Sequence, residues 1–328
     1  MAHVPIKQKI PRFTRRFTVP ALIAVLLVLP GFLSIYGVTV LTEIFIYAIF
    51  AMSLNLLVGY LGYTSLGHAT FLGVGGYALA ILTVKGGIEN FFLGMGATLL
   101  IAAASALLLG LIAMRVSGIY FLMITLAIGQ VFWALVWSWT SLTGGDDGLP
   151  GISRPVFVFL GQRWSLGKET NFYYFIFILF LICIYLFYRL GNSPFGRALV
   201  GIRNNEMRMR ALGYNTWLYK YLCYVIAGIS GSFAGALKVY QDGFISTTYA
   251  SIGQSGVVLL MVIIGGSRVF AGPLVGALII QLIANIVSSY TEYWSAIMGA
   301  TLVFSVLFFP EGIVGYVAKR ARNRDEGD

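Results

Sequence analysis

Long apolar runs separated by short polar breaks occupy nearly the whole chain. A helix needs about 20 residues, at roughly 1.5 Å each, to cross a bilayer. Ten runs approach that length, at residues 19–37, 40–59, 67–84, 91–114, 118–137, 172–188, 217–237, 255–265, 272–288 and 293–309. The eighth is too short as drawn. Either it borrows from the preceding "STTYASIGQ" or it is a half-helix that dips in and stops, so the expected count is ten within a range of nine to eleven.

Composition agrees with this pattern. Hydrophobic residues make up 59% of the 328 and charged residues only 10%, against about a quarter charged in a soluble domain. The predicted fold is therefore all-α, a polytopic integral membrane protein. Cytoplasmic loops accumulate Lys and Arg. Placing both termini inside puts 17 of the 22 basic residues there and leaves Lys85, Arg154, Arg163, Lys168 and Lys238 outside. The net charge of +10 thus follows the loops and forms no dense patch for nucleic acid. The basic leader at 1–18 reads as a cytoplasmic tail before a first span, because Pro30 and the bulky "FLSIYG" offer no small-residue cleavage site. One membrane domain is expected over 19–317, followed by a short cytoplasmic tail at 318–328. Cys183 and Cys223 fall inside spans, as small apolar fillers.

Little mass lies outside the spans, and no fused soluble domain is expected. The largest external segment, 138–171, carries "LTGGDDGLPGISRP", whose Gly, Asp and Pro predict tight turns and a short hairpin or surface helix, or else a plain solvated loop. The largest internal one is 189–216. Glycines four apart, Gly231 with Gly235 and Gly272 with Gly276, predict helix backbones in close approach. Two glycine-rich turns, "GYLGYTSLGHATFLGVGG" and "IGGSRVFAGPLVG", fall on the same side and in the same orientation, which would suit two related halves.

Candidate chemistry is sparse. The nearest string to a phosphate-cradling loop, "GQRWSLGKE", has one residue too many and Glu where Ser or Thr should bind magnesium, so no ATP hydrolysis is expected of this chain. His3 and His68 have no Cys or carboxylate at ligand spacing, which predicts no metal site and gives a membrane enzyme little support. The polar residues within spans are Asn55, Ser65, His68, Thr125, Gln130, Gln281 and Asn285, each either a helix-to-helix hydrogen bond or a path-lining group. Asn55, Ser65, Gly67 and His68 surround a glycine-rich break, and with Thr125 and Gln130 they are the candidate path residues. Glu43, Asp242, Glu292 and Glu311 lie near span ends, so the mid-membrane carboxylate common in ion-coupled carriers is missing.

The basic interruption "FGRALVGIRNNEMRMRALGYN" carries more information. Ser193-Pro194 supplies a cap and a first-turn proline for one short helix, with Phe195, Ala198, Leu199 and Ile202 on one face. A second helix of about two turns starts at Asn204 or Asn205, places Glu206 at its positive end and Arg208 and Arg210 toward its negative end, and stops at Gly213. A helix lying in lipid segregates apolar from charged residues. Here Met207, Met209, Ala211 and Leu212 mix with the arginines, which suits insertion into a protein groove more than an ordinary charged loop.

These residues resemble the LivM-type permeases of branched-chain amino acid ABC importers. The matching strings run in order from Leu54 to Gly315: "LNLLVGYLGYTSLGHATFLGVGGYA", "RVSGIYFLMITLAIGQ", "LTGGDDGLPGI", "SPFGRALVGIRNNEMRMRALGYN", "VVLLMVIIGGSRVFAGPLVGALI" and "LFFPEGIVG". The resemblance implies a permease in a bacterial inner membrane, paired with a second related permease. It also implies two cytoplasmic ATPases carrying ATP and magnesium, and an external substrate-binding protein; no cofactor is expected on this chain. The coupling helix would comprise Arg203, Asn204, Asn205, Glu206, Met207, Arg208, Met209, Arg210, Ala211, Leu212 and Gly213. "MRMR" stands where the family's pattern has small residues. Family members also carry urea, short amides and other small organic solutes, but "LTGGDDGLPGI" and "RALGYN" look more like the amino acid branch. An ion-coupled secondary carrier is the rival from another class.

Overall fold

The computed structural model describes residues 23–88, 90–159, 162–290, 296–297, 299–301, 303 and 312–316, with the backbone alone at 156–159 and 162–165. Helix dominates, because inside lipid only helices and closed barrels satisfy every backbone group. Among the described residues, five helices are long and apolar enough to cross a membrane: α1 (Ile35–Leu61), α3 (Phe91–Ala113), α4 (Ile119–Ser138), α5 (Glu169–Asn192) and α8 (Thr216–Asp242). Three shorter apolar helices accompany them, α2 (Ala69–Lys85), α9 (Ile252–Gly265) and α10 (Gly272–Ser288). Two polar-side helices, α6 (Pro194–Asn204) and α7 (Glu206–Ala211), link α5 to α8.

At the centre stand α1 and α8, with 89% and 72% of their apolar windows buried, against 28%, 22% and 22% for α3, α4 and α5. α2 packs along α8, α5 lies against α1, and the α9–α10 pair closes on the other flank of α1. The outer helices present Leu108, Ile119, Met123, Val131, Ile178 and Leu186 outward, as helices apolar all round do when lipid surrounds them. The central contacts depend on glycine. A Cβ on Gly75 would sit 1.8 Å from the Ser232 carbonyl oxygen, and one on Gly235 would sit 2.0 Å from that of Leu72, so the α2 and α8 backbones touch. Gly276 likewise brings α10 onto the Met261 carbonyl of α9.

The eight helices α1–α5 and α8–α10 correspond to the second through ninth expected spans. The first differs in its boundary. Residues 23–31 are helical, but the chain breaks at 32–34, and Ser34 caps α1, its Oγ accepting from the Gly37 amide at 3.3 Å. Continuous hydrophobicity hid this break, which the sequence pattern had placed after Gly37. The eighth begins at Ile252, after a tight 3-10 turn at Thr247–Ala250. At 14 residues it is about 21 Å long, short of the roughly 30 Å hydrocarbon core. The tenth, 293–309, lies outside the described residues apart from the helical positions 296–297, 299–301 and 303.

The segment between α4 and α5 holds a helical turn at Thr140–Thr143, then β1 (Leu149–Pro150) and a hairpin of β2 (Val156–Phe159) with β3 (Gln162–Ser165). β1 pairs antiparallel with β4 (Phe244–Ile245), just past the end of α8, with Leu149 opposite Ile245. The segment thus holds one helical turn and a hairpin, rather than a plain loop.

Candidate functional site

The segment between α5 and α8 folds as its local signals predict. The Ser193 Oγ accepts from the Gly196 amide at 3.2 Å, with Pro194 in the first turn of α6. The Asn205 Oδ1 accepts from the Arg208 amide at 2.9 Å and starts α7. Gly213 ends it at φ 86°, its amide bonded to the Arg210 carbonyl and that of Tyr214 to Met209. That paired closure requires a left-handed residue, which glycine supplies without strain.

The two faces of this segment behave differently. Glu206 turns inward: its Oε1 accepts from Arg210 at 2.6 Å, from the Thr216 hydroxyl at 2.9 Å and from Lys220 at 3.0 Å. Burial pushes the Glu206 carboxyl up. The hydrogen bonds from Lys220, Arg210 and Thr216 outweigh that and hold it below its ordinary value. Lys220, itself buried, lies 5.7 Å over the Tyr63 ring. Met209 also turns inward, its sulfur resting where Gly201 has no side chain. Facing outward are Met207 at 75% exposure and Leu212 at 67%, flanked by exposed Asn204, Asn205, Arg208, Arg210, Ala211 and Gly213. The sequence counts Met209 with Met207 among the residues that suit a groove; packing of Met209 on α6 separates them.

Arg203 points away from that outward face. Its guanidinium donates to the carbonyl of Gly59, in the wide turn Leu56–Leu61 that ends α1, and its stem crosses Gly62. Burial pushes the Arg203 guanidinium down from its ordinary value, with nearby Arg268 adding to the effect.

The candidate path residues are mostly interior. His68, with no exposed surface, stacks on Phe50 and meets Phe71 edge-on. Its Nε2 shares a 2.8 Å hydrogen bond with the Ser53 Oγ, which also lies 2.7 Å from the Phe50 carbonyl. Its Nδ1 is buried with no hydrogen-bond partner, as is the Oδ1 of Asn55. Gly67 abuts the Thr125 carbonyl, and Gly129 abuts the Gly67 Cα, bringing the start of α2 against α4. Ser65 is buried, Thr125 bonds back to Leu122, and Gln130 is half-buried one turn further along. The start of α2 is also held by α9, where the Ser255 Oγ accepts from the Ala69 amide at 3.0 Å. On α10, Gln281 is buried and its carbonyl accepts from the Asn285 side chain. The two glycine-rich turns meet: a Cβ on Gly59 would lie 2.3 Å from the Ser267 carbonyl oxygen.

Sequence reasoning missed a charged cluster at the opposite end of α1 and α8. Lys238 reads as a loop residue by charge counting, yet it is buried within α8. Its Nζ lies 3.1 Å from Glu43 on α1 and 2.7 Å from Asp242. The Tyr249 hydroxyl donates to Asp242, and Gln254 donates to the Tyr47 hydroxyl at 2.6 Å beside them. The i,i+4 spacing of Lys238 and Asp242 was the available signal.

Comparison with known proteins agrees with this architecture. A family model described as "Branched-chain amino acid transport system / permease component" matches residues 36–306. The chain is 26% identical over 313 residues to the high-affinity branched-chain amino acid transport system permease protein LivM of Escherichia coli (strain K12), covering 90% of this chain and 73% of that one. It is 26% identical over 290 residues to LivH, a permease protein of the same kind of system in Salmonella typhimurium, covering 82% and 91%. It is 23% identical over 239 residues to the ribose import permease protein RbsC of Escherichia coli (strain K12), covering 68% and 73%. No solved structure matches the chain. A membrane-embedded bundle matched by that family model over most of its length belongs to the family of permease components of branched-chain amino acid transport systems.

Proposed function

We propose that this permease subunit forms half of the membrane path of an ABC importer for branched-chain amino acids, beside a second, related permease in the inner membrane. Likeness to both LivM and LivH supports such a pair. In this reading two cytoplasmic ATPases supply the driving force, and α7 seats in a groove on one of them. An external binding protein delivers substrate toward 138–171, with both termini cytoplasmic. The observation that carries the docking role is the exposed face of Met207, Arg208, Ala211 and Leu212, held on a helix whose other face is pinned by Glu206 to α8. Apolar and basic groups mixed on a rigid, short helix suit a protein groove. Movement of the docked helix then alternates access to the path, for which Asn55, Ser65, Gly67, His68, Thr125 and Gln130 are the proposed lining.

Reconstituting the chain with a second permease, two ATPases and a binding protein in vesicles tests this reading. Leucine, isoleucine or valine should stimulate ATP hydrolysis and uptake together, and the chain alone should transport nothing. Uptake by the chain alone on an ion gradient would reject it, and stimulation by urea or short amides in place of amino acids would move the substrate class.

A further inference from the structure

We propose that Arg203 is a positioning residue that ties the coupling segment to the membrane core, carrying movement of α7 into α1 through the Gly59 carbonyl. The proposal rests on α7 as the docking element and adds the route by which docking is felt inside the bundle.

The last carbonyls of a helix lack intrahelical donors and carry its negative end. In the wide turn Leu56–Leu61 the Leu57 carbonyl takes the amides of both Gly62 and Tyr63, and the Gly59 carbonyl is met by the Arg203 guanidinium from α6. The Arg203 stem fits only because Gly62 has no side chain: a Cβ there would lie 2.9 Å from the arginine Cγ. A second grip lies beside it, where Gly191 at the end of α5 abuts the Tyr60 hydroxyl. The turn is thus held from the coupling side at two successive residues.

Its other side has no slack either. A Cβ on Gly59 would fall 2.4 Å from the Asn55 Oδ1 and 2.3 Å from the Ser267 carbonyl, so a shift of Gly59 must move Asn55 or the turn between α9 and α10. The Asn55 Oδ1 is buried, without a hydrogen-bond partner, and lines a small cleft with Gly59, Tyr60, Ser267 and Arg268. Wide helical turns of this kind recur at functional sites, and here one lies beside a buried acceptor without a partner. Arg203 connects α6 to that segment directly.

The test uses the reconstituted complex and the ratio of substrate taken up to ATP hydrolysed. Arg203→Met keeps the stem over Gly62 and removes the donor. It should retain the ATPases in an affinity pull-down and lower the ratio at least tenfold, while Arg203→Lys, which keeps a cationic donor on a similar stem, should restore it to within threefold of the parent. If the methionine variant does not accumulate in the membrane, Arg203→Gln, too short to reach Gly59, carries the same measurement. An unchanged ratio overturns the proposal. Loss of the ATPases from Arg203→Met also overturns it, because Arg203 would then belong to the docking face. A separate Leu212→Asp arm judges the docking reading: that variant should release the ATPases, and if they stay bound the docking reading fails whatever Arg203 does.

Discussion

Glu206 gathers three donors on one carboxylate oxygen, from Arg210, Thr216 and Lys220, so it anchors α7 more than it contacts a partner. Glu206→Gln should weaken that anchor by about 1.5–3 kcal/mol, the range for hydrogen bonds to charged groups. Amide exchange of α7 in the purified complex would show it as faster exchange at residues 206–213 with the membrane helices unchanged. The sign of the pH dependence follows from the carboxyl being held below its ordinary value. Its contribution is complete above the ordinary glutamate range near 4.3 and is lost as pH falls through the lowered value. Protection of α7 should therefore stay level from pH 7 to about 5 and fall only in more acidic buffer. Protection that declined already between pH 7 and 6 would contradict this assignment.

Among the helices, contact between α2 and α8 is set by absent side chains. Gly75→Val would drive a side chain into the Ser232 carbonyl, and overpacking of this kind costs about 1–3 kcal/mol, occasionally more. Gly96→Ala meets nothing within 4 Å and should be neutral. Thermal unfolding in detergent, followed by loss of the monodisperse peak, separates the two, and equal melting would show that α2 and α8 are not held this way. Existence, capping and direction of the elements were legible in the sequence because those signals are local: Ser193-Pro194, Asn205 and Gly213 each act within four residues. The pairing of Glu206 with Lys220 or of Arg203 with Gly59 was not legible, since nothing in periodicity states which turn a distant side chain reaches. Lys238 was misplaced for a related reason. Charge counting assigns a lysine to a loop unless its partners are known, and Glu43 lies on another helix.

Over the whole molecule, the charged groups of Lys238, Glu43 and Asp242 join α1 to α8 where β4 begins. Lys238→Met would leave Glu43 and Asp242 without their shared lysine in a largely buried site, and breaking such a pair costs about 3–5 kcal/mol. Asp242→Asn should be milder, because Glu43 still meets the lysine. Ranking the two variants by thermostability in detergent checks the cluster, and a reversed order would reject it. α8 itself is a single helix of 27 residues, about 40 Å long. One end starts three residues beyond Gly213, and the other runs within two residues into the strand paired with Leu149. Such a rod can act as a lever: if α7 docks as proposed, a tilt of about 5° at that end swings the far strand by roughly 3–4 Å for a helix of that length. The face carrying β1 and β4 can thus register the posture of the face carrying α7 without any intermediate joint.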